Sequence, residues 1–472
     1  MSPPLISKAA ARYTGAGGRE HCSLCRHFSP RRGGRCARVL GDISPRGWCR
    51  LFSREMRGLV ADAASFNGGG GPALGLDFMQ PGVLDPRITF TRASTASYFD
   101  SAGVMRTATT NTPRWDYDPP TLTLRGLLIE EARENRTLQS ADLSNAAWQK
   151  ASANGPAAPP VTGNQAVAPD GTTTASRVAL PAISGAGAVS FVQQPLAAGA
   201  SVALWTFSIY LKGSVGGEQT YICIYDGIAN YIVKQRVTLT TSWQRYVVTS
   251  PSNLTTAAWY SFIGTDLRDA GEASTPAATI YAWGAQFEQG AFATSYIPTT
   301  SAAVTRAADA CSMPAGSWYN ATQGSLACEY IVKGNAPSYG APIGFVGANS
   351  DNDHIIPDRR DAGGTATAPT INTAIVQANG AVSGYAAFAA TPTPAGELQR
   401  GAIAWAVSSP VKAAHNGVTW GNIQSTTTLP VITSLSLVGV PSGQPRINLW
   451  LRATRYYARV LTDAEMQTVT TP

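Results

Sequence analysis

Charge is scarce in this chain of 472 residues: Asp, Glu, Lys and Arg make up 14% of it, against roughly a quarter in an average soluble domain. With 46 glycines and 31 prolines, that deficit argues against a helical enzyme and for turn-rich β-sandwich domains. Histidine is scarcer still, at four residues. A Ser-His-acid set would have to recruit His354 or His415, and neither lies near a Gly-x-Ser-x-Gly elbow. No run of 18 apolar residues occurs, so no helix of the sequence is built to cross a membrane. The first residues, Met1-Ser-Pro-Pro-Leu-Ile-Ser-Lys8, lack the apolar core of a secretory signal. The expectation is a protein made in a reducing cytoplasm, where thiols stay available to metals.

What charge there is sits at one end. Residues 1–60 carry twelve Lys/Arg and three acids, a net of +9, while the whole chain sums to +7, which leaves −2 for the remaining 412 residues. Clustered arginine neutralises phosphates, which raises nucleic acid as a partner. The plainer reading, preferred here, is an arginine-rich docking surface for an acidic protein, with Arg31, Arg32 and Arg35 as its centre and no nucleic acid bound.

Four of the seven cysteines fall in the same segment, as Cys22-x2-Cys25-x10-Cys36-x12-Cys49. That is a metal-ligand pattern first and a disulfide framework second. A segment this short cannot fold on its apolar core alone, and a metal centre would supply the missing stability. Cys223, Cys311 and Cys328 read as small buried apolar groups.

Composition divides the chain into a basic module over 1–66, a joint over 67–73 built on Gly68-Gly-Gly-Gly71, a loop-rich adaptor over 74–139, and two regions of strand-type alternation over 140–309 and 310–472. The fold class expected is mainly β: a small four-cysteine module followed by two antiparallel sandwiches. Strands are predicted at 204–211, 219–225, 231–239, 244–249, 259–263 and 278–287, then at 325–332, 341–346, 370–376, 401–407, 417–420 and 446–457. Leu204–Leu211 alternates so that Trp205, Phe207, Ile209 and Leu211 share one face, which predicts a half-buried strand. Near the end, Thr462 and Glu465 stand at the spacing of a capping box for a short helix.

Several strings resemble bacteriophage head-spike and tail-fibre proteins. Phe90-Thr-Arg-Ala-Ser-Thr95, Tyr98-Phe-Asp-Ser-Ala-Gly103 and Leu124-Arg-Gly-Leu-Leu-Ile-Glu-Glu-Ala-Arg-Glu-Asn135 are similar to the phage head-spike fibre domain. Ile280-Tyr-Ala-Trp-Gly-Ala-Gln-Phe-Glu288, Ala293-Thr-Ser-Tyr-Ile-Pro-Thr299 and Thr305-Arg-Ala-Ala-Asp309 resemble the exit from a sandwich of carbohydrate-binding-module type. Residues 324–332 and 447–465 are similar to the two ends of a concanavalin A-like lectin domain. The resemblance implies a non-enzymatic virion protein that docks on capsid, portal or tail proteins, projects its sandwiches toward host-surface polysaccharide, and assembles as a homo-oligomer, commonly a trimer. A capsule depolymerase is the alternative from another class. Its carboxylates would come from Glu130, Glu131 and Glu134 or from Asp351 and Asp353, although these read better as adaptor residues and as a polar turn of the oxygen-rich kind that holds Ca²⁺ in lectins. Aromatic candidates for sugar contact are Trp405, Trp420 and Trp259, with Tyr260, Tyr339 and Tyr385 beside them, whereas Trp205, Trp243 and Trp283 read as core.

The cysteine segment has its own likeness: Cys22-x2-Cys25, Cys36 and Gly47-Trp48-Cys49 resemble the high-potential iron–sulfur proteins, which implies one [4Fe–4S] cluster held by the four thiolates. Tetrahedral zinc on the same four cysteines is the alternative, and a redox-active virion component is a weaker one. Anaerobically prepared protein should contain about four irons and four acid-labile sulfides per chain. One zinc per chain in their place would assign the tetrahedral site, and neither metal would contradict a metal centre altogether.

Overall fold

Two β-sandwiches, one inserted into the other, make up the described part of this computed structural model. The structure describes residues 71–196, 203–225, 231–251, 259–268, 274–334, 341–349, 352–361, 370–387, 396–420, 426–438 and 448–471, together with Phe28–Ser29 and Arg35–Cys36. Those last four residues form an antiparallel pair that sets Phe28 opposite Cys36 and Ser29 opposite Arg35. Cys22, Cys25, Cys49, Arg31 and Arg32 lie outside the described residues.

The inserted sandwich stacks two five-stranded antiparallel sheets. One contains, in spatial order, Gln149–Ala153, Val189–Leu196, Trp259–Asp266, Gln219–Tyr225 and Tyr231–Thr238. Its partner contains Val161–Ala166, Ala175–Leu180, Ala278–Gln289, Trp205–Gly213 and Gln244–Thr249. Between them lie Val192, Phe207, Ile209, Leu211, Ile222, Ile224, Ile263 and Phe287, each contributed by every second residue of its strand. Burying a side chain of this size contributes about 1.5–3 kcal/mol, which is why the alternation in the sequence is a reliable guide to which face turns inward.

The larger sandwich pairs a seven-stranded sheet with an eight-stranded one. The eight-stranded sheet centres on Gln323–Val332, flanked by Leu398–Ala406 and Leu449–Tyr457. Its core includes Leu326, Cys328, Phe345, Ile403, Trp405, Leu451 and Tyr456. On the outer side the closing helix, Asp463–Thr470, lies on Ala327, Ala402, Ala404, Ala414 and Ala453, whose small side chains let it approach the sheet. Thr462 and Glu465 form the capping box that their spacing predicts.

Residues 74–139, read from sequence as a spike-type adaptor, are built into both sandwiches. Leu74–Asp77 and Leu124–Ile129 pair with Leu449–Tyr457 in the eight-stranded sheet, and Thr89–Thr91 pairs with Ala310–Pro314 in the seven-stranded one. Between these strands the hairpin of Ala96–Phe99 with Met105–Ala108 turns the other way, and Met105 packs with Tyr210, Trp283 and Tyr296 of the inserted sandwich. The sheets of the larger sandwich therefore draw on chain from both sides of the insertion.

That covering hairpin changes one expectation. Trp205–Gly213 is buried on both faces rather than half-buried, because Thr206 donates to the Gly290 carbonyl at 2.7 Å, Ser208 accepts from Arg245 at 2.9 Å, and Tyr210 lies against Trp283 and Phe99. Local alternation reports the inner face and says nothing of chain that returns over the outer one.

Candidate functional site

The strings quoted from residues 90–135 and 280–309 converge on one place, the neck between the two sandwiches. The chain leaves the larger sandwich after Ile129 and re-enters it before Ala310. Its outgoing strand Arg133–Asn135 pairs with the returning strand Val304–Arg306, placing Arg306 opposite Arg133. Asn135 saturates its amide here, donating to the carbonyls of Ala285 and Ile297 and accepting from the amides of Phe287 and Thr137.

Beside this neck lies a set of buried ions. Glu130 is sealed from solvent and meets Arg114 at 2.8 Å, Arg306 at 3.1 Å and Lys333 at 2.8 Å. It also accepts from the amide of Ser295 at 2.7 Å and from its hydroxyl at 2.6 Å. Asp309, equally buried, bridges Arg114 at 2.7 Å and Arg92 at 3.0 Å and accepts from the Glu130 amide. Close by, Asp116 accepts from the Trp450 indole at 2.8 Å and from the Phe99 amide at 2.7 Å. Burial opposes ionisation of Glu130, but Arg306, Lys333 and Arg114 outweigh it and hold the carboxyl well below its ordinary value. Burial pushes Asp116 the other way, with the cations and donors around it only partly compensating, and pushes Lys333 down against the pull of Glu130.

This arrangement positions chain rather than substrate. Glu130 has no route to a ligand, Glu131 is tied to Arg133, and Glu134 to Arg136 at 2.8 Å. Asp353 accepts from the Asn379 amide in a turn closed by the Asn349 carbonyl, and Asp351 lies outside the described residues. Among the described residues no group of three or more His, Cys, Asp or Glu is placed to hold a metal ion. His354 and His415 are both buried.

The aromatic candidates separate. Trp405 is fully buried in the larger core, against Phe345 and Tyr456, and cannot serve as a sugar platform. Its strand has both faces covered, one by the opposing sheet and one by the closing helix. Trp420 is half-buried against that core, and Trp259 packs against the core of the inserted sandwich. Trp205 and Trp283 are core as expected, while Trp243 is half-buried beneath the Lys212 ammonium at 5.0 Å. Tyr339 and the Tyr385 side chain lie outside the described residues. Cys223, Cys311 and Cys328 are buried, and burial raises the thiols of Cys311 and Cys328 to about 12.

One step along the strand from Trp259, Tyr260 points to the opposite side and belongs to an aromatic face on the outside of the first five-stranded sheet. Tyr225 stands opposite Tyr260 in the ladder, with ring centroids 6.1 Å apart, and Phe262 and Phe191 stack beside them at 5.0 Å. Gly264 sits where any side chain would overlap the Ser190 carbonyl and Phe191, so glycine is what lets Phe191 lie across the sheet. Cations cover the rings: Arg268 lies 5.1 Å from the Tyr225 ring and Lys234 lies 4.4 Å from Tyr221. Asp266 holds Arg268 through a salt bridge of 2.8 Å. Sequence alternation places Tyr260 and Phe262 on one side, but Tyr225 and Arg268 join them only through the cross-strand register. On the other edge of this sandwich, an open cleft of about 350 Å³ is lined by Glu131, Arg133, Glu134, Arg136, Trp205 and Gly290.

No protein-family model matches the sequence, and no curated protein does. Solved structures similar to parts of the chain include a CBM40 of a Ruminococcus gnavus IT-sialidase (14% identity, 32% of this chain and 84% of that one, TM-score 0.25). The enzymatically active domain of bacteriophage CBA120 tailspike protein 4 is similar at 13% identity (33% and 21%, TM-score 0.25). A tandem CBM22 domain of Paenibacillus barcinonensis Xyn10C is similar at 10% identity (69% and 96%, TM-score 0.22). None of these scores speaks to a shared fold, so the head-spike likeness rests on the residue strings alone.

Replacing Glu130 by Gln leaves Arg114, Arg306 and Lys333 short of their shared anion, and should lower stability by about 3–5 kcal/mol in urea unfolding at pH 7. Because the folded-state carboxyl is depressed below its ordinary 4.5, the stabilisation by Glu130 is complete above that pH and lost as pH falls through the folded value. The gap between wild type and Glu130→Gln should therefore narrow below pH 4.5. A gap that stays constant down to acid unfolding would contradict the ion set.

Proposed function

We propose that the chain is a virion protein of a bacteriophage, a head spike or tail fibre, whose inserted sandwich binds host-surface glycan and whose N-terminal module docks on the particle. The observation that carries the glycan-binding part is the outer aromatic face. Tyr225 and Tyr260 are half-buried and side by side with their planes 48° apart, Phe262 and Phe191 flank them on the same sheet face, and the guanidinium of Arg268 lies over the Tyr225 ring. Half-exposed rings held on a rigid sheet contact the apolar parts of sugars, and neighbouring charged groups supply hydrogen bonds to hydroxyls. The virion part is supported by the resemblance of the residue strings and by the concentration of positive charge before the glycine joint. Under this reading Cys22, Cys25, Cys36 and Cys49 staple the docking module through a [4Fe–4S] cluster or zinc, Arg31, Arg32 and Arg35 face acidic virion partners, and the assembled protein is a homo-oligomer carried on the virion.

Among the described residues the depolymerase reading has no unpaired carboxylate pair from the adaptor string, since Glu130 is sealed and Glu131 and Glu134 are each bound to an arginine. Purified full-length protein should bind polysaccharide extracted from the host surface without releasing reducing ends. Tyr225→Ala and Tyr260→Ala should each weaken that binding about tenfold, on the order of 1.4 kcal/mol. Steady release of reducing ends would favour the enzyme, and wild-type protein that binds no host-surface polysaccharide would remove the proposal.

A further inference from the structure

We infer that the cleft beside the neck is a second subsite, shaped for one neutral hexose unit; the inference rests on the glycan-binding reading and adds a place and a chemistry to it. At about 350 Å³ the cleft falls at the small end of the roughly 300–1,000 Å³ typical of ligand sites, the scale of one or two sugar rings. Its walls offer two carboxylates, Glu131 and Glu134, and two guanidinium groups, Arg133 and Arg136. These formal charges cancel. An acidic sugar would meet the carboxylates and a cation would meet the guanidinium groups, whereas a neutral polyol, each hydroxyl both donor and acceptor, is served by both.

The four groups are not equally fixed. Arg133 is 8% exposed, donates through Nε to Glu131 at 2.8 Å, and lies 5.0 Å from the Phe292 ring. Its Nη1 is buried with no hydrogen-bond partner and packs against Gly290, so this guanidinium is a fixed part of the cleft wall. Gly290, in the left-handed region at φ 133°, makes this possible, because any side chain there would overlap the guanidinium. Arg136 and Glu134 form the movable rim. Their side chains are 30% and 42% exposed, and an exposed pair of this kind opens at small energetic cost. Arg136 lies 4.8 Å over the indole of Trp205, which is itself stacked on Phe287 at 5.1 Å and 8°. Swinging Arg136 aside would present a fixed indole at the cleft floor to the apolar face of a sugar ring while freeing Glu134 to accept from its hydroxyls.

The test is saturation-transfer NMR of the full chain with D-glucose, D-galactose, D-mannose and D-glucuronate, on wild type, Glu134→Gln and Arg136→Gln. Both substitutions lie on the exposed rim, and thermal unfolding checks that the variants remain folded. At least one neutral hexose should bind in the millimolar range, each variant should weaken it at least fivefold, and glucuronate should bind no more tightly. Hexose binding that survives both substitutions, a preference for glucuronate, or no hexose binding at all would overturn the subsite. Binding of host polysaccharide separates the two claims. If it depends on Tyr225 and is indifferent to Glu134 and Arg136, the cleft fails while the function stands; if wild type binds no polysaccharide, the function itself fails.

Discussion

A carboxylate with no access to water, Glu130, must be met by cations and donors or remain un-ionised, and every part of the neck is arranged to meet it. Its partners come from widely separated parts of the chain: Arg114 ahead of the insertion, Ser295 and Arg306 from the returning segment, and Lys333 beyond it. The set is complete only when the inserted sandwich has folded back and the larger one has closed around it. Desolvation cancels much of the Coulombic gain in such a set, so its main consequence is selective. Arrangements that leave one member unpaired are heavily penalised, and the neck has one geometry.

The surfaces that matter for function inherit that geometry. Arg306 donates to the Glu131 carbonyl and lies opposite Arg133 in the two-stranded neck, so the ion set fixes the wall of the cleft from behind. The same hairpin that buries Met105 against Tyr210 and Trp283 covers the outer face of the second five-stranded sheet. The outer face of the first sheet keeps half-exposed rings in Tyr225 and Tyr260. Part of the inserted sandwich's surface is thus covered by chain that lies outside that sandwich.

Much of this was legible before any coordinates. The strands Gln219–Tyr225 and Gln244–Thr249 fall where alternation puts them, and Thr462 and Glu465 cap the closing helix. Period-two patterning and capping are local, and a local window contains them. What was not legible depends on distant chain. Trp405 resembles any strand tryptophan in sequence; its burial comes from Phe345 and Tyr456, some 50 to 60 residues away. Residues 74–129 look like an irregular adaptor because their strands are short, and their partners lie beyond an insertion of about 180 residues. Glu130 is one acid in an acid-rich string, and nothing nearby marks it as the buried one. Tyr225 and Tyr260 become neighbours only through the register of two antiparallel strands.

The buried ions at the neck join the two sandwiches into one cooperative unit. Hydrogen–deuterium exchange of the full chain across a urea series measures this directly, by following peptides from Trp205–Gly213 in the inserted sandwich and from Gln323–Val332 in the larger one. Both should lose protection at the same urea concentration. Protection lost in two separate steps, with one sandwich open while the other remains intact, would contradict that coupling.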